Sequence, residues 1–310
     1  MVNVSVVIAN YKKQDGSLDC ILSQSMKDIE VIFPVPECDK DSLNELKEIA
    51  KEDNRIKIVK FDTYQKVVPL DVVLCNACGE FVYFFTPGES ITENVLEELY
   101  DNAAFNESDI VLFKVFDDNA NEYYMDLSES LSDDAVFDFN QIRECIFKPP
   151  FILSSKLYKK EFLKENGFKF DKSTEFYDII FHMHTLIKAE RISYCDSAVL
   201  NHNFECSNLV ENSNGNEMDI FYTNDHVESV FKKERMFIPF EIELNDFLMR
   251  SVDWFLISSG SPEYYKKARR QFSLIKYGLV KILPEDLFEL YNLVMDNKSY
   301  DKFKQVYKSQ

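Results

Sequence analysis

Val4-Ser5-Val6-Val7-Ile8-Ala9-Asn10-Tyr11, then Ser17-Leu18-Asp19-Cys20-Ile21-Leu22-Ser23-Gln24-Ser25, then Ile29-Glu30-Val31-Ile32-Phe33, is the stretch that decides the fold. From Val2 to Ile8 β-branched residues run with few interruptions, as suits a strand buried on both faces of a parallel sheet. Asp15-Gly16-Ser17 supplies turn and cap chemistry. Leu18, Ile21, Leu22 and Ser25 follow helical spacing, and Ile29 to Phe33 returns to strand character. The unit reads as β-α-β.

The same alternation continues outward. Asp41-Ser42 opens a second helix whose Leu43, Leu46, Ile49 and Ala50 share a face, and Ile56 to Phe61 reads as a third strand. Leu70 to Cys78 is a short helix. Glu80 to Phe85 is a strongly apolar strand stopped by Thr86-Pro87-Gly88, Thr92 to Tyr100 is a capped helix, and Asp109 to Phe116 is another strand. Asp117 to Asn140, acidic with aromatic interruptions, reads as a surface excursion. Helices are expected over Ser154 to Lys164 and Tyr177 to Ala189, and a strand over Arg191 to Leu200. The Asn-, Ser- and Glu-rich run from about Asn201 to Asn216 marks a boundary between residues 1–204 and 205–310. Beyond it, Met218 to Lys233, Glu241 to Ser258, Glu263 to Leu279 and Pro284 to Met295 are amphipathic helical patterns without a competing strand signal. The fold class is α/β: a doubly wound, mostly parallel sheet with a C-terminal helical appendage, whose ligands bind beyond the carboxyl ends of its strands.

The 310 residues, 45% hydrophobic with 27 Phe and 16 Tyr, can bury a sizeable core. Against 35 Lys and Arg stand 54 Asp and Glu; the net charge of -19 repels polyanions and disfavours nucleic acid as a partner. An anionic small molecule can still bind in a locally positive cleft. Seven scattered cysteines, an odd number, point to a reduced compartment, and Cys75 to Cys78 is a lone C-x-x-C without a second ligand pair. The N-terminal apolar stretch is too short for a signal peptide, and no run approaches the ~18 apolar residues of a membrane helix. The expected location is cytoplasmic. The run Lys266-Lys267-Ala268-Arg269-Arg270 is either a solvated helix face or a contact with the inner face of an anionic membrane.

Ser17 to Ile32 resembles the first helix and second strand of family-2 glycosyltransferases, which carry text of the type "CLDSILNQTLKDIEII" after a "VSVIIPVYN" strand, here matched by Val4 to Tyr11. Ser42 to Ile58 resembles "SLEILKEYAEKDSRIKVI", Gly79 to Phe85 the "GEYILFLDSDD" strand, and Ser154 to Leu163 the "NKLYKRDFL" segment. Phe176-Tyr177-Asp178 sits where such proteins carry "YED". These matches run in the family's order over residues 2 to 204. The resemblance implies a GT-A fold, with a nucleotide-sugar donor across the carboxyl edge of the sheet and a glycan, lipid-linked or protein acceptor above it.

The resemblance also implies an aspartate-any-aspartate motif holding a divalent metal, Mn or Mg, against the departing diphosphate. That position reads Thr86-Pro87-Gly88, so both metal-binding Asp are missing, and Glu89 just after is either a displaced ligand or a solvated turn residue. The family's base-binding "DDGS" aligns with Val35-Pro36-Glu37-Cys38. Pro36 offers neither acceptor nor N–H, leaving Glu37 or Asp39 to substitute. No counterpart of "GPGAARN" is recognisable around Lys66 to Asn76. Ala9, Tyr11 and Lys12, with Lys13, stand at the carboxyl end of the first strand on the donor side, Thr86 lies in the altered motif, and His202 follows a later strand where the family has a polar cluster.

Asp178 corresponds by register to the family's acceptor-activating base, a carboxylate that takes the hydroxyl proton as oxygen attacks the anomeric carbon opposite the leaving diphosphate. A carboxylate at a helix start is equally accounted for by the helix dipole. His182 and His184 have a metal-ligand look, but Phe181, Met183 and Leu186 make the helix largely a core one. Two functions follow: an inverting glycosyltransferase with a degenerate donor site, or a non-catalytic protein that keeps the fold to bind a glycan or a partner. A dinucleotide oxidoreductase fits poorly, because no G-x-G-x-x-G follows the first strand.

Overall fold

The structure is a computed structural model and describes residues 2–11, 16–62, 67–132, 135–148, 150–202 and 216–307. The chain divides into two compact units, one comprising Met1–Lys172 with Tyr177–Cys206, the other Ser173–Phe176 with Ser207–Gln310. The stretch 173–176 therefore belongs with the helical unit, although both its neighbours lie in the first. Most of the expected boundary, 203–215, lies outside the described residues.

The first unit opens with β1 (Val4–Ile8), α1 (Ser17–Leu22), β2 (Ile29–Pro36), α2 (Lys40–Glu52), β3 (Ile56–Phe61), α3 (Leu70–Asn76), β4 (Phe81–Phe85) and the short β5 (Ser90–Ile91). It continues with α4 (Val95–Asn106), β6 (Ile110–Asp117), β7 (Glu122–Met125), α5 (Arg143–Phe147), β8 (Lys156–Lys159), α6 (Lys160–Glu165), α7 (Tyr177–Lys188) and β9 (Ile192–His202). Among the described residues the strands form one nine-stranded sheet of order β3-β2-β1-β4-β8-β6-β9-β5, with β7 on β6. β1, β2, β3, β4, β6 and β9 point one way; β5, β7 and β8 run against them. The expectation of a doubly wound, mostly parallel sheet followed in sequence by helices holds.

The strand pattern follows from burial on both faces. All five residues of β1 and of β4 are buried. In β4, Phe81, Tyr83 and Phe85 pack into a cluster with Val95, Leu96, Leu99 and Ala103 of α4. Phe84 points to the other face, edge-on to Tyr158, Phe170 and Phe181. Each such ring contributes about 1.5–3 kcal/mol by leaving water, so β4 anchors both layers. At its entry, Gly79 N–H donates to Ser5 Oγ at 2.9 Å, an approach that leaves no room for a side chain.

One expectation fails in this unit. Ser154 to Lys164 is not one helix: a single 3-10 turn at Leu153–Ser155 leads into β8, which is inserted antiparallel between β4 and β6, and only Lys160–Glu165 is helical. The excursion from Asp117 contains β7, paired with β6 and mostly exposed, so the stretch runs over the surface as expected. Both strands are short, and short apolar or mixed runs do not distinguish strand from helix by period. The second unit holds helices Asp219–Lys233, Glu241–Leu256, Pro262–Leu274, Tyr277–Val280, Glu285–Asp296 and Tyr300–Tyr307. The expected helix from Glu263 to Leu279 is thus broken at Ile275 and Lys276, both extended. Within this unit the Thr174 and Thr223 hydroxyls are 2.8 Å apart and Phe176 packs on Phe255. No described helix is long and apolar enough to cross a membrane.

Candidate active site

Because β1, β2, β4 and β9 are co-directional, their carboxyl ends lie at one edge, to which Ala9, Tyr11, Glu37, Asp39, Thr86, Glu89 and His202 belong. β1 and β4 pair as far as Ile8 and Phe85, which sets Ala9 beside Thr86. The chain leaves β1 through Asn10 at φ 56, a left-handed conformation that asparagine tolerates, and the ring of Tyr11 lies edge-on to Phe33 of β2 at 5.0 Å. Lys12 and Lys13 lie outside the described residues. Glu37 is exposed. Asp39 is the N-cap of α2, accepting from Ser42 N–H at 3.0 Å, and the Ser42 hydroxyl together with that N–H holds its carboxyl below the ordinary range. The cap lies two residues earlier than Asp41.

The altered motif loop is built around Glu89. Its side chain is buried, not a solvated turn residue: Oε2 accepts from Thr86 N–H at 2.9 Å, while Oε1 accepts from Ser154 Oγ and lies 2.6 Å from His202 Nδ1. Gly88 turns the loop at φ 89, and its N–H donates to Ser17 Oγ at 3.3 Å. Thr86 itself is exposed and has no carboxylate. A divalent cation needs several oxygen ligands, but Thr86 and Gly88 bring none of the acidic kind and both Glu89 oxygens are committed internally. Among the described residues no group of three His, Cys, Asp or Glu could hold a metal ion. The residues present do not fit the metal that the fold implies.

A second polar cluster starts where the first ends. Ser154 and Ser155 are buried next to Lys156, the first residue of β8, which is 1% exposed; its ammonium donates to Ile152 O at 3.0 Å and Ser155 Oγ at 2.7 Å. Desolvation lowers the Lys156 pKa to about 7, against the attraction of Asp178. Asp178, at the start of α7, responds in the opposite sense: desolvation raises its carboxyl to about 6, in spite of bonds from the backbone N–H groups of Ile179 and Asp178 and the charge of Lys156. The helix dipole therefore does not dominate here. Tyr158, two residues along β8, is fully buried, its hydroxyl has no hydrogen-bond partner, and burial and then Asp178 push its pKa up. The stretch Ser154-Ser155-Lys156 thus joins the Glu89–His202 pair to Asp178. Ser154 and Lys156 escaped the reading of the sequence; a serine pair and a lysine ahead of an apolar Leu-Tyr was the available signal.

His182 packs edge-on to Phe151 at 5.1 Å and His184 to Phe168 at 4.9 Å, as members of the aromatic layer around α7. Cys75 and Cys78 are exposed, reduced thiols, and the Cys78 thiol takes a bond from Lys57 Nζ at 3.1 Å.

Sheet order and the strand directions define a GT-A-like glycosyltransferase fold. The solved structures agree. S. aureus TarS 1-349 in complex with UDP-GlcNAc superposes with a TM-score of 0.71 at 16% identity, over 99% of this chain and 91% of that one. The same protein with UDP gives 0.70 at 17%, over 99% and 90%. The mannosyltransferase PcManGT from Pyrobaculum calidifontis, in complex with GDP-Man and Mn2+, gives 0.53 at 14%, over 97% and 84%. No protein-family profile matches the chain, and no curated protein sequence does either. At these identities the likeness is one of fold, with the chain a divergent version of it.

Proposed function

We propose that this protein is a metal-independent, inverting glycosyltransferase that moves a sugar from a nucleotide-sugar donor to a glycan, lipid-linked or protein acceptor, on the cytoplasmic side of a membrane. The observation that carries the reading is the Asp178 carboxyl, half-buried at the start of α7 and raised by desolvation to about 6, with the Lys156 charge acting on it. A general base works best with a pKa near the working pH. Above that value Asp178 is ionised and accepts the acceptor hydroxyl proton as its oxygen forms the bond to the anomeric carbon; the bond from that carbon to the diphosphate breaks on the opposite face. Lys156 stabilises the ionised form. Ala9, Tyr11 and Thr86 line the donor edge, with Glu37 and Asp39 toward the nucleobase and His202 toward the diphosphate. The test is isothermal titration of the whole chain against a panel of UDP- and GDP-sugars, with and without manganese, followed by transfer assays on any that bind. Absence of binding to all of them removes the reading.

One observation favours a second reading. Glu89 engages both oxygens within the protein, Oε2 with Thr86 N–H and Oε1 with Ser154 and His202, an arrangement that stabilises the edge without serving a donor. A non-catalytic glycan- or partner-binding protein would keep it. Retention of glycan binding with no donor hydrolysis or transfer separates this reading from the first.

A further inference from the structure

The helical unit carries the sharpest charge segregation in the chain. From Tyr264 to Leu283 there are six cations and no acid, in a protein whose net charge is -19. At about 100° per residue, Lys266, Lys267, Arg270 and Leu274 fall on one arc of the helix Pro262–Leu274. The buried Tyr264, Tyr265, Ala268 and Phe272 occupy the opposite one. Arg269 is turned away from this arc: its guanidinium donates to the carbonyls of Val294, Met295 and Asn297 and closes the end of the helix Glu285–Asp296. Of the outward cations, Lys267 also lies over the Phe221 ring at 5.8 Å, while Lys266 and Arg270 are exposed on the arc.

Large apolar side chains stand in the same segment without cover. Leu274 is 77% exposed, Ile282 61% and Tyr277 52%. Leu274 and Tyr277 flank the break at Ile275 and Lys276, Ile282 follows the short helix Tyr277–Val280, and Lys281 lies over the Tyr277 ring at 4.7 Å. Two acids border the surface: Glu263 at the helix start, and Glu241, which pairs with Lys276 at 3.3 Å. Cations flanking exposed Leu, Ile and Tyr suit the interface of an anionic bilayer, in which the apolar groups enter the headgroup region and the lysines meet lipid phosphates. The remaining negative charge of the molecule is screened beyond about 8 Å at physiological salt.

We infer that Lys266, Lys267, Arg270, Leu274, Tyr277 and Ile282 form a docking surface for an anionic phospholipid membrane. This deepens the membrane-side location proposed above and is independent of the transfer chemistry, so vesicle binding and sugar transfer fail separately. The test is co-sedimentation of the full chain, without nucleotide sugar, with vesicles of phosphatidylcholine alone or mixed with phosphatidylglycerol. Binding is expected only to the mixed vesicles, weakening as NaCl rises. K266A/R270A lowers the partition coefficient about twenty-five-fold, about fivefold per cation. Leu274→Ser with Ile282→Ser lowers it about tenfold or more, with the salt dependence retained. All four positions are exposed, so both variants should keep the wild-type circular dichroism. Equal binding to neutral and mixed vesicles, no binding to either at low salt, wild-type binding by both variants, or retention only by a soluble polyphosphate overturns the assignment.

Discussion

His202 Nδ1 lies 2.6 Å from Glu89 Oε1, and both side chains are almost wholly buried. One is the last residue of β9, the other precedes β5, and the pair ties together the two strands that end the sheet. With the Ser154 hydroxyl and the Thr86 N–H also directed at Glu89, the loop in the altered motif is held by its own acid.

Glu89→Ala should therefore destabilise the first unit by about 3 kcal/mol, because it strands several buried donors at once. Urea unfolding followed by circular dichroism measures it. A loss under about 0.5 kcal/mol, typical of a surface position, would show that the carboxylate does not hold the loop.

Chelation should leave the protein unchanged. Nucleotide-sugar affinity measured by titration is expected to be the same in EDTA as in manganese, since Thr86 and Gly88 provide no carboxylate and Glu89 is engaged. A tenfold tightening by manganese would mean that Glu89 exchanges its internal partners for a cation.

Asp178→Asn should keep the fold and lower the transfer rate about a hundredfold to ten-thousandfold, the range for loss of a general base. In the unaltered chain kcat/KM should fall as pH drops through about 6, where the carboxylate takes up a proton. Lys156→Met removes the cation that favours the ionised form, so this limb should move to higher pH. An unmoved limb would mean that Lys156 acts on packing alone.

Gly79→Ala should cost about 2 kcal/mol. A Cβ there would stand 2.5 Å from Ser5 N and 2.7 Å from Ser5 Oγ, and the nearer contact is backbone that cannot swing aside. The thermal midpoint, with Gly278→Ala as an unhindered control, reads this out.

Glu30 sits at the same end of the sheet, 2% exposed, accepting from Ser5 Oγ and Cys78 N–H and paired with Lys57. Burial pushes its pKa up, but bonds from Lys57, Ser5 and Cys78 outweigh it and hold the carboxyl below its ordinary value. A folded-state pKa below the unfolded one contributes stability that is fully present above the unfolded value and is lost as pH falls through the folded one. Glu30→Gln should accordingly flatten the acid limb of a stability–pH curve, measured by denaturant unfolding, below the ordinary carboxylate range.

What the sequence determined by itself was the local alternation. β3 begins and ends at Ile56 and Phe61 as the pattern expects, and α7 and the tail helices Asp219–Lys233, Glu241–Leu256 and Glu285–Asp296 lie within a few residues of their patterns, because apolar period and flanking caps are encoded over a dozen neighbouring residues. Order over 200 residues also carried the GT-A-like reading, including the absence of carboxylates at Thr86-Pro87-Gly88. Tertiary structure decided the rest. Lys156–Lys159 becomes a strand only because β4 and β6 offer edges on both sides, and that placement strips Lys156 of water. Asp178 has a raised pKa because distant residues close around it, although a helix start alone favours its charge. Glu89 looked like a turn acid or a displaced ligand; its partners Ser154 and His202 lie 65 and 113 residues away. Hydrogen bonding and desolvation of this kind are set by long-range pairing, which no local period records.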